Sequence, residues 1–206
     1  MNAEQFQART GATPEQMVDL DAFRLMLIET NAVMNLVGPD TLPDFWNRHA
    51  LDSWQLLAHA PNAKVWADIG AGAGFPGVVL AIFLKRTPGA KIWLIDSLAK
   101  RCRFLDQAKA ALALDNAVVV NGRAEDQTVS CDVVTARAVA PLDRLLGYAQ
   151  PFFRAGAQGL FLKGEKVEAE LSEARRSWQF QADVSPSISD PRGRILSVRS
   201  PRRVRA

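Results

Sequence analysis

Apolar residues in the first part of the chain recur at the three- to four-residue spacing of a helix. The clearest run comprises Leu20, Phe23, Leu27 and Met34. A helix start precedes it, since Thr13 can cap, Pro14 suits the first turn and Gln16 completes a capping box. A second helix is predicted over about residues 41–59. The sequence therefore predicts an N-terminal helical cap over residues 1–60.

After residue 60, short apolar runs typical of buried strands alternate with helical patterns. Strands are predicted near residues 64–69, 91–95, 117–121, 131–136 and 157–162, and helices near 75–86, 98–113, 141–150 and 165–177. Two last strands, near 178–184 and 194–200, have no room for a crossover helix between them and should form an antiparallel hairpin. The pattern predicts an α/β fold over residues 61–206, with a doubly wound, mostly parallel, seven-stranded sheet.

Composition narrows the class of protein. The chain has 206 residues, 48% of them apolar, which is enough for one large core. No apolar run approaches the roughly 20 residues that span a bilayer, and the opening residues Met1 to Gln5 lack the features of a signal peptide. Two cysteines, Cys102 and Cys131, are too few for a disulfide framework or a metal cluster. We expect a cytoplasmic protein with no membrane contact and no metal.

Charge is unevenly distributed along the chain. Residues 1–60 carry three basic and eight acidic side chains, a balance of −5, whereas residues 61–206 carry 22 and 14, a balance of +8. Arginine outnumbers lysine by 18 to 7, and its planar fork suits phosphate and guanine. A tail of six arginines follows Asp190 without another acid. An anionic partner and a merely solubilising surface both explain this pattern, and the tail is either a disordered end or an auxiliary RNA contact.

The segment from Asp68 to Gly77 predicts a ligand-binding turn, because an apolar strand runs into an acid and four glycines. Gly70, Gly72 and Gly74 would let backbone N–H groups approach a polar ligand. Residues 72–77 also fit the G-x-G-x-x-G pattern of dinucleotide sites, so an NAD-dependent oxidoreductase stays open. Asp68 favours S-adenosylmethionine (SAM), since a carboxylate two residues before Gly70 can meet the ammonium of a methionine moiety.

Three further strand ends carry candidate chemistry, because ligands of open parallel sheets bind at the carboxyl ends of strands. Asp96 lies 28 residues after Asp68 and can accept hydrogen bonds from ribose hydroxyls, or it can simply cap the next helix. The turn at residues 121–126 can hold an adenine edge, although Glu125 can equally be a solvated acid. Arg137 follows a buried strand and needs a polar partner there, which places it beside the reacting end of the ligand.

A set of motifs in this order resembles the RsmG (GidB) family of bacterial rRNA methyltransferases over about residues 31–165. The motifs are Asn35-Leu36, Arg48 to Ser53, Asp68 to Gly77, Asp96-Ser97, Lys100-Arg101, Gly122 to Glu125, Arg137-Ala138 and Leu162 to Gly164. The resemblance implies a class I, Rossmann-like fold and methyl transfer from SAM to N7 of a guanine in the helix 18 loop of 16S rRNA. It also implies SAM contacts from Gly70, Phe75, Ala124, Glu125 and Arg137.

The end of the fourth strand lacks the residues that other base methyltransferases need. A cytosine-C5 methyltransferase needs a cysteine nucleophile there, and an exocyclic-amine methyltransferase is expected to have an Asp/Asn-Pro-Pro-aromatic turn; neither is present. Guanine N7, by contrast, has an exposed lone pair and loses no proton when it is methylated. No general base is required, so Arg137 is expected to act by positioning and His49 to be structural or to contact RNA. The candidate RNA contacts are Arg48, His49, Arg101, Arg123 and Lys163. We expect a monomer acting on 16S rRNA or the small ribosomal subunit, with a non-catalytic RNA-binding protein of the same fold as a further alternative.

Overall fold

A seven-stranded sheet with the strand order β3-β2-β1-β4-β5-β7-β6 forms the centre of the protein in the computed structural model, which describes residues 1–204. Strands β1 to β5 are parallel, and β7 runs antiparallel between β5 and β6. The strands are β1 Val65–Ile69, β2 Lys91–Asp96, β3 Ala117–Asn121, β4 Val133–Arg137, β5 Gln158–Lys163, β6 Trp178–Pro186 and β7 Arg194–Arg203.

Helices cover both faces of this sheet. They are α1 Ala3–Thr10, α2 Pro14–Met34, α3 Asp52–Trp54, α4 Leu56–His59, α5 Gly77–Phe83, α6 Ala99–Ala111, α7 Leu142–Tyr148, α8 Gln150–Arg154 and α9 Val167–Ala174. Neighbouring strand residues such as Trp66 and Ala67 belong to different core clusters, as the two-residue period of a strand requires. One cluster contains residues of α1, α2, α5 and α6, and the other contains residues of α7, α8 and α9. The predicted doubly wound fold is confirmed.

The C-terminal hairpin is confirmed and is longer than predicted. Strand β7 continues to Arg203, where it pairs with Trp178, and the Arg203 guanidinium lies 5.1 Å from the Trp178 ring centre. Because β7 is antiparallel to β5, its last residues lie at the amino ends of the parallel strands. The predicted basic tail is therefore mostly strand: its first arginines, Arg192 and Arg194, lie near the carboxyl ends, and Arg199, Arg202 and Arg203 lie toward the opposite edge of the sheet. Arg205 lies outside the described residues.

The N-terminal segment contains the expected helix and two departures from prediction. Helix α2 begins at Pro14 with the capping box between Thr13 and Gln16. Helix α1, which the sequence did not indicate to us, begins with a second capping box. The predicted helix at residues 41–59 is wrong as one element, because a 3-10 helix (Pro39–Asp44) and a π-helical turn (Trp46–Leu51) precede the short α3 and α4. Pro43, which has no N–H to donate, lies inside the 3-10 helix.

An aromatic cluster joins this segment to the sheet layer. Phe23 of α2 lies 5.3 Å from Phe75, 6.3 Å from Phe104 and 6.4 Å from Phe45 between ring centres. All four rings are buried. A shared core thus crosses the predicted boundary at residue 60. That residues 1–60 form a separate cap domain stays a prediction.

Within residues 1–204, no helix has both the length and the apolar character that a membrane crossing requires.

Candidate active site

A cavity of about 840 Å³ opens at the carboxyl ends of β1, β4 and β5. The glycine turn at residues 70–75 forms one wall and the loop at residues 138–141 another. The remaining walls come from residues 36–52 and from the β6–β7 loop, residues 187–193. This is the edge at which open parallel sheets bind their ligands.

The glycine turn needs its glycines for conformation and for space. Gly70, Gly72 and Gly74 have φ angles of 69°, 54° and 89°, which L side chains rarely adopt. A Cβ atom on Gly70 would also lie 2.6 Å from Cγ2 of Val139. Substitution at Gly70 would therefore strain the backbone and displace the loop at residues 138–141.

Most amides of this turn are engaged within the protein, which differs from the expectation that they face a ligand. The N–H groups of Gly70 and Ala71 both donate to the Ile95 carbonyl, and that of Gly74 donates to the Ala71 carbonyl. Within the described chain, the N–H groups of Ala73 and Phe75 have no acceptor. These two amides are the donors that the turn leaves available.

Asp68 is fully buried beneath the turn and has one unsatisfied oxygen. Its Oδ2 accepts a hydrogen bond from the Gly77 N–H at 2.8 Å, while Oδ1 has no partner among the described residues. Burial raises the pKa of Asp68 to about 7, against the opposing effect of the Gly77 hydrogen bond. An ammonium group of a ligand would satisfy Oδ1 and stabilise the ionised carboxylate.

Asp96 connects the glycine turn to the start of α6. Its Oδ2 accepts from the Gly72 N–H at 2.9 Å and its Oδ1 from the Leu98 N–H at 2.8 Å. Arg101 Nη1 lies 3.5 Å from Oδ2, and Asp96 is 3% exposed. The side chain thus supports the turn, and its expected bond to a ribose would be an additional one.

Arg137 follows a buried strand and was expected to need polar partners, and the structure provides them. Its Nη1 donates to the Arg48 carbonyl at 2.9 Å, and its Nη2 donates to His49 Nδ1 at 2.9 Å. The guanidinium carbon lies 4.8 Å from the centre of the Phe75 ring, which favours a cation. Arg137 therefore joins the end of β4 to the π-helical turn of the cap.

His49 is buried against Phe75, with ring centres 4.6 Å apart and 20° between the planes. A guanidinium can only donate, so Nδ1 must be the unprotonated acceptor and Nε2 carries the proton. Nε2 lies 2.9 Å from Thr41 Oγ1, which can accept its hydrogen bond. Burial, together with the charges of Arg137 and Arg48, lowers the pKa of His49 to about 3. Both ring nitrogens are engaged, so His49 has no free nitrogen for an RNA contact.

Six of the expected site residues do not line the cavity. They are Asp68, Gly74 and Asp96, which belong to the glycine turn or support it, and Arg123, Ala124 and Glu125. Ala124 and Glu125 lie in a short 3-10 helix, Ala124–Asp126, after β3, and the exposed Arg123 approaches Glu125 to 3.4 Å. None of them belongs to the cavity wall, whereas Arg48, Arg101 and Lys163 do. The adenine and RNA assignments at residues 123–125 stay predictions.

Lys163 lines the cavity but is largely enclosed by protein. Its ammonium donates to Glu170 at 2.7 Å and to the Ala140 carbonyl at 3.0 Å, and its side chain is 8% exposed. Glu170 also accepts from the Leu142 N–H at 2.9 Å. These hydrogen bonds hold the loop at residues 138–141. They also occupy the Lys163 ammonium, so it is poorly placed to bind a phosphate.

Sequence reasoning missed a polar network that fastens the β6–β7 loop to the cap. Ser189 Oγ donates to Asp52 at 2.6 Å, and Asn47 donates to the Ser189 carbonyl at 2.9 Å. Gln55 donates to Ser187 Oγ and accepts from the Ile188 N–H, each at 2.9 Å. These partners are more than 130 residues apart in sequence, so no local pattern could have paired them.

Two solved structures of similar fold are methyltransferases. A SAM-dependent methyltransferase from Aquifex aeolicus matches with a TM-score of 0.60 at 15% identity, covering 82% of this chain and 98% of that one. An O-methyltransferase from Bacillus cereus, in complex with SAH, matches with a TM-score of 0.59 at 15% identity, covering 87% and 91%. The fold is that of a class I, Rossmann-like methyltransferase.

Sequence comparison defines the family. The model of the GidB family, described as rRNA small subunit methyltransferase G, matches residues 16–194. Ribosomal RNA small subunit methyltransferase G of Caulobacter vibrioides (strain NA1000 / CB15N) is 55% identical over 205 residues, covering 100% of this chain and 94% of that protein. The protein of the same name from Rhodopseudomonas palustris (strain BisB18) is 43% identical over 192 residues, covering 92% and 82%. This chain belongs to the GidB family, and the resemblance stated from its motifs is confirmed.

Proposed function

We propose that this protein transfers the methyl group of SAM to N7 of a guanine in the helix 18 loop of 16S rRNA. The observation that carries the proposal is the cavity at the carboxyl edge, which the glycine turn and Arg137 both line, in a chain of the GidB family. Family membership decides against the NAD-dependent oxidoreductase.

The residues present fit SAM. The unsatisfied Oδ1 of Asp68 suits the ammonium of its methionine part, and the free amides of Ala73 and Phe75 suit its carboxylate. Gly70, Gly72, Gly74, Phe75, Asp96, Ala124, Glu125 and Arg137 complete the proposed cofactor set. When bound, SAM supplies an electrophilic methyl group on a sulfonium.

The protein's own part in the reaction is positioning. His49 lines the cavity, but its Nδ1 accepts from Arg137 and its Nε2 proton points to Thr41, so it is not available as a base. Guanine N7 needs no base, because its lone pair is already exposed. Arg137, held by His49, Arg48 and Phe75, would fix the geometry of the reacting groups.

Two measurements test the proposal. SAH should raise the unfolding temperature and NAD should not. The protein should also incorporate methyl groups into 16S rRNA from cells that lack this gene, and chemical cleavage should map N7-methylguanine to the helix 18 loop. Binding of SAH and RNA without incorporation would identify the non-catalytic alternative, and methylation at another atom or another rRNA would refute the assignment.

The setting of the reaction belongs to the same proposal. We place the protein in the cytoplasm as a monomer, acting on 16S rRNA or the small ribosomal subunit. Arg48, Arg101 and Arg123 are the proposed RNA contacts that have partly or largely exposed side chains. Light scattering of the purified protein tests the monomer, and a dimer that contributes residues to the cavity would overturn it.

A further inference from the structure

Two arginines at the rim of the cavity share one carboxylate. Arg48 Nη1 lies 3.6 Å from Asp190 Oδ2, and Arg192 Nε lies 3.9 Å from Asp190 Oδ1. All three residues line the cavity. The two guanidiniums and the one carboxylate therefore have a net charge of +1.

Neither guanidinium forms a hydrogen bond in the described part of the chain. Both distances to Asp190 exceed the 2.7 to 2.9 Å of a charge-assisted hydrogen bond. Their side chains are 47% and 71% exposed, so the donor groups face solvent at the cavity mouth. An arginine fork with unused donors suits a phosphate, whose oxygens accept two parallel N–H bonds.

The positions of the two arginines are fixed by the protein. Arg48 lies in the π-helical turn, and its carbonyl accepts from Arg137 at 2.9 Å. Arg192 lies in the β6–β7 loop, which Ser189 joins to Asp52 of the cap at 2.6 Å. The Arg192 N–H also donates to Asp190 Oδ1 at 2.8 Å, which orients the shared carboxylate. The backbone that carries each arginine is thus fastened to the rest of the site, and the exposed side chains extend from it.

We propose that Arg48 and Arg192 together bind one backbone phosphate of the RNA beside the target nucleotide, with Asp190 bridging the two guanidiniums until the phosphate arrives. This inference rests on the proposed function. It names a binding site for the RNA backbone that is distinct from the cofactor pocket and from the basic end of β7.

The test measures binding of a helix 18 RNA fragment as a function of salt for the full-length protein. We expect the double variant Arg48→Gln, Arg192→Gln to bind roughly 3- to 10-fold more weakly at 0.1 M salt and to lose roughly 0.7 to 0.9 of the log–log slope, the amount for one phosphate. Affinity for SAH and the unfolding temperature should not change. The matched control is Arg202→Gln, an exposed arginine at the opposite edge of the sheet, which should leave both quantities unchanged.

Asp190→Asn separates phosphate binding from a structural ion pair. Asn keeps an oxygen for the Arg192 N–H but frees both guanidiniums from the charge, so we expect tighter RNA binding and a steeper salt slope. If the arginines serve only to anchor the loop, Asp190→Asn should weaken binding as the arginine variants do, and the inference is overturned. An unchanged slope in the double variant overturns it too. Wild-type methylation of the fragment, measured in parallel, shows separately whether the proposed function holds.

Discussion

Asp68 and His49 are buried in the same site, and folding shifts their pKa values in opposite directions. The folded protein keeps a proton on Asp68 from its ordinary pKa of 3.8 up to about 7, whereas folding removes a proton from His49 between about pH 3 and its ordinary 6.5. Stability falls with rising pH for the first group and rises with pH for the second. Between pH 3.8 and 6.5 the two contributions oppose each other.

Asp68→Asn should uncouple them. Asn keeps the shape of the protonated acid but does not titrate, so only the His49 contribution remains. Relative to the wild type, we expect the free energy of unfolding of the variant to rise with pH by roughly 1.4 kcal/mol per unit between pH 4 and 6.5. Urea unfolding at a series of pH values measures it. His49→Gln should give a difference of the opposite sign, and parallel curves for all three proteins would contradict these pKa values.

Arg137→Ala should lower methylation far more than RNA binding. The guanidinium bonds to the cap backbone and to His49, and it covers Phe75, so its loss releases the reacting end of the site. We expect a loss of order 100-fold in the single-turnover rate with RNA bound, the scale for a misplaced reacting group. His49→Gln, which keeps an acceptor for Arg137, should lose less. Reduced RNA affinity at a normal rate would reassign Arg137 as an RNA contact.

Testing whether Asp96 binds the ribose requires a thermodynamic cycle that changes both the protein and the ligand, because this carboxylate also supports the glycine turn. Asp96→Ala should weaken SAH binding by roughly 1.5 to 3 kcal/mol, measured by calorimetry. An SAH analogue without ribose hydroxyls should bind the wild type more weakly, but the variant nearly as well as SAH itself. Equal losses for both ligands would show that Asp96 acts only through the turn.

At the scale of elements, the sequence was most informative where local chemistry decides. The capping box of Thr13 and Gln16, the strands from their apolar runs, and the hairpin from its short connection all follow from neighbouring residues. The break at residues 39–59 does not, because a π-helical turn is retained by tertiary contacts such as Arg137 to the Arg48 carbonyl. Local patterns also could not show that Lys163 meets Glu170 or that Ser189 meets Asp52.

Helix α2 should be needed for the whole core. Phe23 is fully buried among Phe45, Phe75 and Phe104, so truncation leaves a cavity between the cap and the sheet layer. We expect Phe23→Ala to lower the free energy of unfolding by roughly 3 to 5 kcal/mol, measured by urea unfolding. Val18→Ala, on an exposed position of the same helix, is the control and should change it by less than about 0.5 kcal/mol. A small effect of Phe23→Ala would mean that the cap packs loosely.

At the scale of the molecule, the excess positive charge is divided between the two edges of the sheet. Arg48, Arg101 and Arg192 lie at the cavity, whereas Arg199 donates to Gln158 at the start of β5 and Arg203 covers Trp178. The net charge of the longer segment therefore overstates what faces RNA at the site. The predicted hairpin alone does not give this division, because the division depends on β7, rather than β6, lying antiparallel beside β5.

The shared aromatic core also decides how the molecule should unfold. If the cap and the sheet layer form one cooperative unit, calorimetry should give a single transition with equal calorimetric and van't Hoff enthalpies. SAH at 100 times its Kd should stabilise that unit by about 2.7 kcal/mol, which shifts the unfolding temperature by roughly 5 to 10 °C for a chain of this size. Two transitions, of which SAH shifts only one, would instead establish residues 1–60 as an independent cap. Phe23→Ala should then lower only the transition of the cap, whereas in a cooperative molecule it lowers the single one.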